Sequence, residues 1–420
     1  MGTYTVKLHI DDDKNIFKTY EKNYDLPVCI PLDSEDISKP NHTLKGFRIG
    51  QTVFPYRDGE YALSFSDDFC TEQDGIVDLY PLWQYEYQGE GTKSSPYLVD
   101  CPDAFENMPY TVYLQYSPRK SFYFRFTADI DMSGRNFIPI GLLDSQSIEG
   151  IIDGNHHTVS NLNISVPKDI PVGFRFGGFI YEMMGGEIKN LSFYNCTMEV
   201  EGDHQYFNAG FLCGYTIDTE ISNCALINCS MAVSGTHEVR VAPFQGTNEY
   251  CDTSLEDCYF EGSINVSSPG NVHVSLIAND SSDITSCAAI ASVKIQSAGE
   301  IFFYGIGSEE LIQDTYSVFE VSAAGKSLTV YECGFGTPIN SYYSDLSTVE
   351  FNGMDFSLSE TGRTADENLK DFQWITENLR GMTTKNWNME SGYPKLGERE
   401  LQKIEITSKE QFLSLSGQYL

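Results

Sequence analysis

A repeat of about thirty residues constrains the fold of this chain more than any other feature of its sequence. One motif recurs six times: an apolar residue, two polar residues, and then a residue expected to point inward. The six copies are IKNL (188–191), ISNC (221–224), LEDC (255–258), ITSC (284–287), IQDT (312–315) and INSY (339–342). Their last residues are 33, 34, 29, 28 and 27 positions apart. This period is typical of a solenoid, in which each repeat forms one turn.

The segments around the motif predict an all-β fold. A Gly-rich apolar segment precedes each copy and a short alternating segment follows it, and both are too rich in β-branched residues for helical repeats. One repeat cannot bury its apolar face alone, but turns stacked about 4.8 Å apart bury a continuous core. We therefore expect a right-handed parallel β-helix with three short strands per turn.

Three segments in the first repeats resemble the GLUG-motif repeats of secreted bacterial proteins. They are ADIDMSGRNFIPIG (128–141), IEGIIDGNHHTVSNLNIS (148–165) and FGGFIYEMMGGEIKNLSFYNC (176–196). The resemblance implies that residues 87–400 form the β-helix. It also implies that the protein is extracellular or lies at the bacterial cell surface.

Residues 1–86 have a different pattern. Tyr4, Val6 and Leu8 alternate with polar residues, as in a half-buried strand. Gly46-Phe47 and the LYPLW sequence (79–83) resemble the Listeria–Bacteroides repeat, although Phe47 stands where that repeat has tryptophan. The resemblance implies a small β-grasp-like module, which also occurs in bacterial surface proteins.

Both ends of the predicted β-helix have candidate capping segments. We expect a short helix within residues 101–116 to cover the first turn. At the other end, TADE (364–367) reads as a capping box before a helix that carries Leu369, Phe372, Ile375 and Leu379 on one face. This helix is expected to cover the open edge of the last turn. Residues 404–417 repeat the pattern of residues 97–110, so residues 401–420 are predicted to begin a further module.

The charge of the chain excludes two classes of partner. The formal net charge is −33, so the surface repels nucleic acid and anionic membranes. No run of 18 apolar residues occurs, and no membrane insertion is expected.

The cysteines fall into columns when the repeats are aligned. Cys224, Cys258 and Cys287 share one column with Leu191 and Thr315. Cys196 and Cys229 share a second column, and Ser263 follows them in the alignment. Buried free cysteine behaves as a small apolar residue, so we interpret both columns as core stacks. A disulfide between adjacent turns is the alternative, and a zinc site lacks support because no CxxC motif or nearby histidine occurs.

The asparagines beside these cysteines also align. Asn190 and Asn223 take the same position in successive repeats, which favours an asparagine ladder at a bend. Asn228-Cys229-Ser230 matches a glycosylation sequon, and we interpret it as a chance match within the repeat.

The chain matches no complete catalytic motif. HEVRV (237–241) begins like HExxH but ends in Val241, so the second zinc ligand is missing. GKS (325–327) resembles the end of a P-loop, but Glu320 replaces its first glycine. His156 and His157 are interpreted as structural turn residues. No catalytic, cofactor-binding or metal-binding residue is assigned, and the chain is predicted not to be an enzyme.

These observations favour a non-catalytic, adhesin-like surface protein that binds a host protein, a matrix protein or a glycan, or that displays another domain as a stalk. Loop tyrosines are candidate contacts for such a partner: Tyr206, Tyr250, Tyr342 and Tyr343. The alternative is a β-helix polysaccharide lyase or glycoside hydrolase, by analogy of fold alone. Its candidate carboxylates are Asp252, Glu256 and Asp257, which are expected to be solvated.

Overall fold

A computed structural model of the protein describes residues 3–9, 16–23, 28–31, 38–49, 52–55, 60–63, 76–115, 117, 120–143, 147–165, 175–248, 253–280, 283–308, 311–334, 338–359, 361–389 and 392–397. Most of these residues form a parallel β-solenoid of about 8 turns, and a small sheet precedes it. The predicted fold class is therefore confirmed. The division at residues 86 and 400 stays a prediction, and residues 401–420 lie outside the described residues.

The N-terminal sheet is mixed. Thr3–His9 pairs in parallel with Ile76–Tyr85 at its centre, and antiparallel strands flank this pair on both sides. The strand order is Ile16–Asn23, Thr3–His9, Ile76–Tyr85, His42–Ile49 and Thr52–Pro55. Val28–Pro31 and Glu60–Leu63 form a separate antiparallel pair. Phe47 and Leu79 are fully buried in this unit.

The solenoid has four faces, named A to D in the order in which the chain passes through them in each turn. Face A contains Tyr97–Val99, Ser121–Phe126, Ile148–Asp153, Ile180–Lys189, the start of Cys213–Gly235, Gln245–Thr247, the start of Ser254–Ser268, Asp283–Thr285 and Leu311–Gln313. Face B contains Ile130–Asp131, Thr158–Ser160, Ser192–Tyr194, the middle of Cys213–Gly235 and of Ser254–Ser268, the starts of Ala288–Ser297 and Tyr316–Ala324, Tyr342–Ser344 and Arg363–Thr364.

Face C contains Asn136–Phe137, Asn163–Ser165, Thr197–Gly202, the ends of Cys213–Gly235, Ser254–Ser268, Ala288–Ser297 and Tyr316–Ala324, and Thr348–Asn352. Face D contains Phe176–Gly177, Tyr206–Gly210, Glu238–Ala242, Val272–Ser275, Glu300–Tyr304, Ser327–Tyr331 and Asp355–Leu358. The central turns thus have four strand segments, where the sequence predicts three. The sequence pattern does not separate the segments of faces A and B, because the chain bends between them at a single residue, such as Asn223.

Two short helices, Pro102–Glu106 and Met108–Gln115, cover the first turn, as the sequence predicts. The ring of Phe105 is fully buried and lies 4.9 Å from the ring of Phe137 and 5.6 Å from that of Phe179. The Asn107 side chain joins the cap to the N-terminal sheet, since it accepts from the Tyr85 N–H at 2.7 Å and donates to the Trp83 carbonyl at 2.8 Å.

The C-terminal segment differs from its prediction. Residues 364–367 do not begin a helix; a 3-10 turn at Asn368–Lys370 follows, and the α-helix is Phe372–Asn378, capped by the Asp371 carboxylate. A hairpin of Trp387–Asn388 and Lys395–Leu396 completes the segment. We name residues 365–389 and 392–397 the strap. The strap packs on the outer surface of face B rather than on the last turn alone, because face B presents Tyr259, Tyr316 and small alanines there as an apolar surface.

The bends between the faces are built from asparagine and aspartate ladders. Asn190, Asn223 and Asp257 all have a φ between 51° and 54°, the left-handed conformation that Asn and Asp tolerate better than other side chains. The Asn223 amide donates to the Asn190 side chain at 2.7 Å, and Asn190 donates to Asp153 at 3.1 Å. The predicted Asn190–Asn223 ladder is therefore confirmed.

A second ladder lies at the bend between faces B and C. Asn228 donates to Asn195 at 3.1 Å, Asn195 to Asn161 at 2.6 Å, and Asn161 to Asp131 at 2.8 Å. Each amide donates to the side chain in the preceding turn, so the ladder ends at the Asp131 carboxylate, which only accepts. Asn228 of the sequon is thus a bend residue in this ladder, with a φ of 53°.

The cysteine columns are buried directly after these bends. The Cys224 thiol donates to the Ser222 carbonyl at 3.3 Å, and the Cys287 thiol donates to the Thr285 carbonyl at 3.2 Å. Ser341 makes the same bond to Ile339 at 3.0 Å. The column therefore continues at Ser341, and the predicted alignment of Tyr342 is one residue too late. The position favours a small donor because a carbonyl turns inward at the bend.

In the second column, the residue that aligns with Cys229 also differs by one position from the prediction. Cys229 pairs with Gly262, not with Ser263, because the strand after Glu261 lacks the bend residue that Asn228 provides in the preceding turn. The loss of that residue explains part of the fall in the repeat period from 34 to 29 residues.

We expect the cysteines of both columns to be reduced. The eight cysteines whose side chains the structure describes are all free, and burial raises the pKa of the Cys224 thiol to about 12, which keeps it protonated and unreactive. Thiol titration should therefore detect little reaction in the native protein and at least these eight thiols after denaturation without reductant. A much smaller number after denaturation would show that adjacent turns are joined by disulfides.

Candidate functional site

A groove of about 700 Å³ runs along the solenoid where faces B and C meet. Six consecutive turns contribute to its lining, from Asn195 and Thr197 in the first of them to Leu346 in the last. We name it the axial groove. Since neighbouring strands are about 4.8 Å apart, six turns span about 24 Å.

The end of the second asparagine ladder shapes this groove. Turns up to Asn228 project a side-chain amide at the bend, whereas the next turn has Gly262, with no bend residue before it. A Cβ atom on Gly262 would lie 1.9 Å from the Cys229 carbonyl oxygen, so the backbone closes in here and leaves a depression outside. Tyr393 of the strap forms the facing wall.

The chemistry of the axial groove changes along its length. On the face C side, each of the first four turns presents an outward hydroxyl: Thr197, Ser230, Ser263 and Ser292. On the opposite side, the first three turns present Asn195, Asn228 and Glu261, and the last three present the apolar residues Ile290, Val318 and Leu346. The groove therefore offers mainly hydrogen bonds in its first turns and apolar contact in its last turns.

Two carboxylates line the groove. Glu261 pairs with Lys395 at 2.6 Å and accepts from the Tyr259 hydroxyl at 2.7 Å. Burial acts to raise the pKa of Glu261, but the bond from Lys395 outweighs burial and lowers this pKa, so that Glu261 stays ionised at neutral pH. Glu320 is exposed. The lining is thus neutral to negative, which disfavours an anionic ligand.

A second polar cluster, the charged corner, lies where faces D and A meet. It consists of Glu238, Arg240, His273, Asp280 and Tyr304. The Arg240 guanidinium pairs with Asp280 and, at 3.3 Å, with Glu238; His273 lies 3.9 Å from Glu238. Burial opposes the charge of Arg240, but the two carboxylates raise its pKa, so the corner is a closed ion-pair network.

His273 and Tyr304 are neutral in this corner. Burial and then the Arg240 charge lower the pKa of His273, against the opposing effect of Glu238 and Asp280. The imidazole stacks on the Phe302 ring, with the ring centres 4.6 Å apart. Burial, reinforced by Tyr331, raises the pKa of Tyr304 to about 12.

The neutral state of His273 predicts a pH effect on stability. Below about pH 6.5 the unfolded chain binds a proton at this residue while the folded protein does not, so its contribution to stability falls as the pH falls. We expect wild type to lose more stability between pH 7 and pH 5 than the His273→Gln variant, measured by urea unfolding. Equal losses in the two proteins would contradict the lowered pKa.

The predicted contact tyrosines do not form one surface. Tyr206 is 45% exposed on face D, but Tyr343 is buried, and the Tyr342 ring packs against Trp374 of the strap with ring centres 4.9 Å apart. Tyr250 and Asp252 lie outside the described residues. The sequence does not reveal this arrangement because the strap returns to face B from far along the chain.

The carboxylates that were candidates for a catalytic pair also lie in different environments. Glu256 is exposed, as expected. Asp257 is only 8% exposed, so the expectation that it is solvated is wrong. It accepts from the Trp387 indole N–H at 2.7 Å and from the Asn386 amide, and it thereby anchors the strap to the first asparagine ladder. Within the described residues, Glu182 is the carboxyl whose pKa burial raises, and it lies on face A apart from this pair.

The remaining sequence motifs fall at structural positions. Glu238 and Arg240 of HEVRV belong to the charged corner, while the His237 ring lies next to the Thr236 hydroxyl in a turn. His157 hydrogen-bonds to Asp129 at 3.1 Å. The described part of the chain holds no group of three or more residues arranged to bind a metal ion. It also contains no helix long and apolar enough to cross a membrane.

No family model and no curated protein matches this chain. Among solved structures, it is similar to a Bacteroides ovatus protein described as a "putative immunoglobulin A1 protease". The two share 18% sequence identity with a TM-score of 0.54, and the match covers 74% of this chain and 95% of that protein. At this identity the likeness shows the β-solenoid fold alone, and both sequence-motif resemblances stay predictions.

Proposed function

We propose that this protein is a non-catalytic, adhesin-like solenoid of the bacterial surface and that the axial groove is its binding site for a host protein, a matrix protein or a glycan. The carrying observation is that the groove follows six turns, with a column of hydroxyls in the first four and apolar side chains in the last three. Face B is covered by the strap, whereas the hydroxyl side of face C is open. A comparable depression of about 790 Å³ follows the turns between faces C and D, but none of its described lining residues belongs to a separate segment.

The test begins with a glycan-array and host-matrix screen of the full chain. For any ligand found, Ser263→Trp should lower the affinity at least about tenfold, because the new ring fills the groove. Asn265→Trp is the matched control, since Asn265 is exposed two residues further along the same strand and outside the groove. A ligand that both variants bind equally well would place its site elsewhere. Clean negatives in both screens would leave the display stalk as the function.

A second candidate is a polysaccharide lyase or hydrolase, and the charged corner favours it because a neutral histidine and a cation lie together there. The fold likeness to the protein described as a protease adds no residue to this case, since Val241 interrupts the HExxH pattern. Incubation with a panel of polysaccharides tests this candidate. Cleavage that is lost in His273→Gln would establish an enzyme.

A further inference from the structure

The axial groove repeats at a fixed interval, and this interval bears on its ligand. Thr197, Ser230, Ser263 and Ser292 occupy paired positions in successive turns, so their hydroxyls recur once per strand spacing of about 4.8 Å. A hexopyranose in an extended, equatorially linked chain advances by nearly the same distance. An extended peptide instead advances by about 3.3 Å per residue, so it falls out of step with the turns within a few residues.

The walls of the groove match the two surfaces of such a sugar. Pyranose hydroxyls lie around the ring edge, where serine and threonine hydroxyls can donate and accept. The C–H face of the ring is apolar and suits contact with Ile290, Val318 and the Tyr393 ring. The amides of Asn195 and Asn228 add hydrogen-bonding groups in the same two turns as Thr197 and Ser230.

The charge of the site selects among polysaccharides. Glu261 and Glu320 line the groove, and the chain carries a formal net charge of −33. Lys395 is already paired with Glu261. Uronate and sulfated chains are therefore repelled, and uncharged chains are not.

We propose, building on the proposed function, that the axial groove binds a linear, neutral polysaccharide that lies along the solenoid axis with one sugar per turn. Six turns line the groove, so it holds about six sugars. Each turn adds further contacts, from hydroxyls in the first four turns and from apolar side chains in the last three, and the affinity grows with chain length until the groove is full.

The experiment is calorimetric titration of the full chain with linear β-1,4-linked glucose and N-acetylglucosamine oligomers, from disaccharide to hexasaccharide. We expect the affinity of one series to rise several-fold with each sugar and to level off near the hexasaccharide. Oligogalacturonates of equal length should bind more weakly. Ser230→Trp blocks the second turn and leaves four turns beyond it, so it should reduce the hexasaccharide to the affinity of a tetrasaccharide, while Asn265→Trp should leave it unchanged.

Other results separate the two proposals. An affinity that does not depend on length, or that is unchanged in both Ser230→Trp and Ser292→Trp, overturns the axial mode of binding. A matrix protein that binds at the groove when no oligosaccharide does overturns the sugar ligand but leaves the binding function in place. Absence of any ligand in the oligomer titrations and in both screens overturns both proposals. Circular dichroism of each variant confirms that it is folded.

Discussion

Replacing Gly186 with alanine should destabilise the solenoid by about 3 kcal/mol or more, the combined effect of backbone strain and overpacking. Gly186 has a φ of 115°, and a Cβ atom there would lie 1.9 Å from the carbonyl oxygen of Gly150 in the preceding turn. The obstacle is backbone, so no side-chain rotation relieves it. Urea unfolding of the full chain, followed by circular dichroism, measures the change.

Gly185 provides the matched control. It also has a positive φ, 84°, but the nearest atom to a Cβ there is the flexible Glu149 Cγ at 3.6 Å. Gly185→Ala should therefore cost only the conformational strain, about 1–2 kcal/mol. Equal losses in the two variants would show that contact between the turns is not what limits this position.

Replacing Trp387 with alanine should release the strap from face B. The Trp387 side chain is 2% exposed, and its N–H donates to Asp257, so truncation should cost about 3–5 kcal/mol through the cavity and the lost bond. Because the strap forms one wall of the axial groove, we also expect the variant to lose affinity for any groove ligand. Limited proteolysis of the strap and a binding titration measure the two effects.

Phe372→Ala is the control for this prediction. Phe372 lies in the strap helix but is 51% exposed, so its truncation should change stability by no more than about 0.5 kcal/mol. If Trp387→Ala leaves both the proteolysis pattern and the affinity unchanged, then the strap neither depends on this anchor nor shapes the binding site.

The central fold could be predicted because its rules are local and repeated. Cys224, Cys258 and Cys287 align in sequence for the same reason that they align in space: each follows a left-handed bend and stacks on its predecessor. The alignment failed by one residue at Gly262, where the turn loses a bend residue, and at Ser341, where Ile339 pairs with Gln313 rather than with Ile312. Such a one-residue deletion changes the spacing without changing the residue types.

The parallel solenoid and the asparagine ladder at Asn190 and Asn223 could be predicted from the residues alone, because neighbouring turns repeat one another along the chain. The position of the strap, where Trp387 bonds to Asp257 and Tyr393 lines the axial groove, is seen only in the folded protein. Residues 130 positions apart form that contact, and no periodicity links them. The axial groove depends on this return of the chain, since Tyr393 of the strap completes a lining that otherwise comes from the solenoid turns.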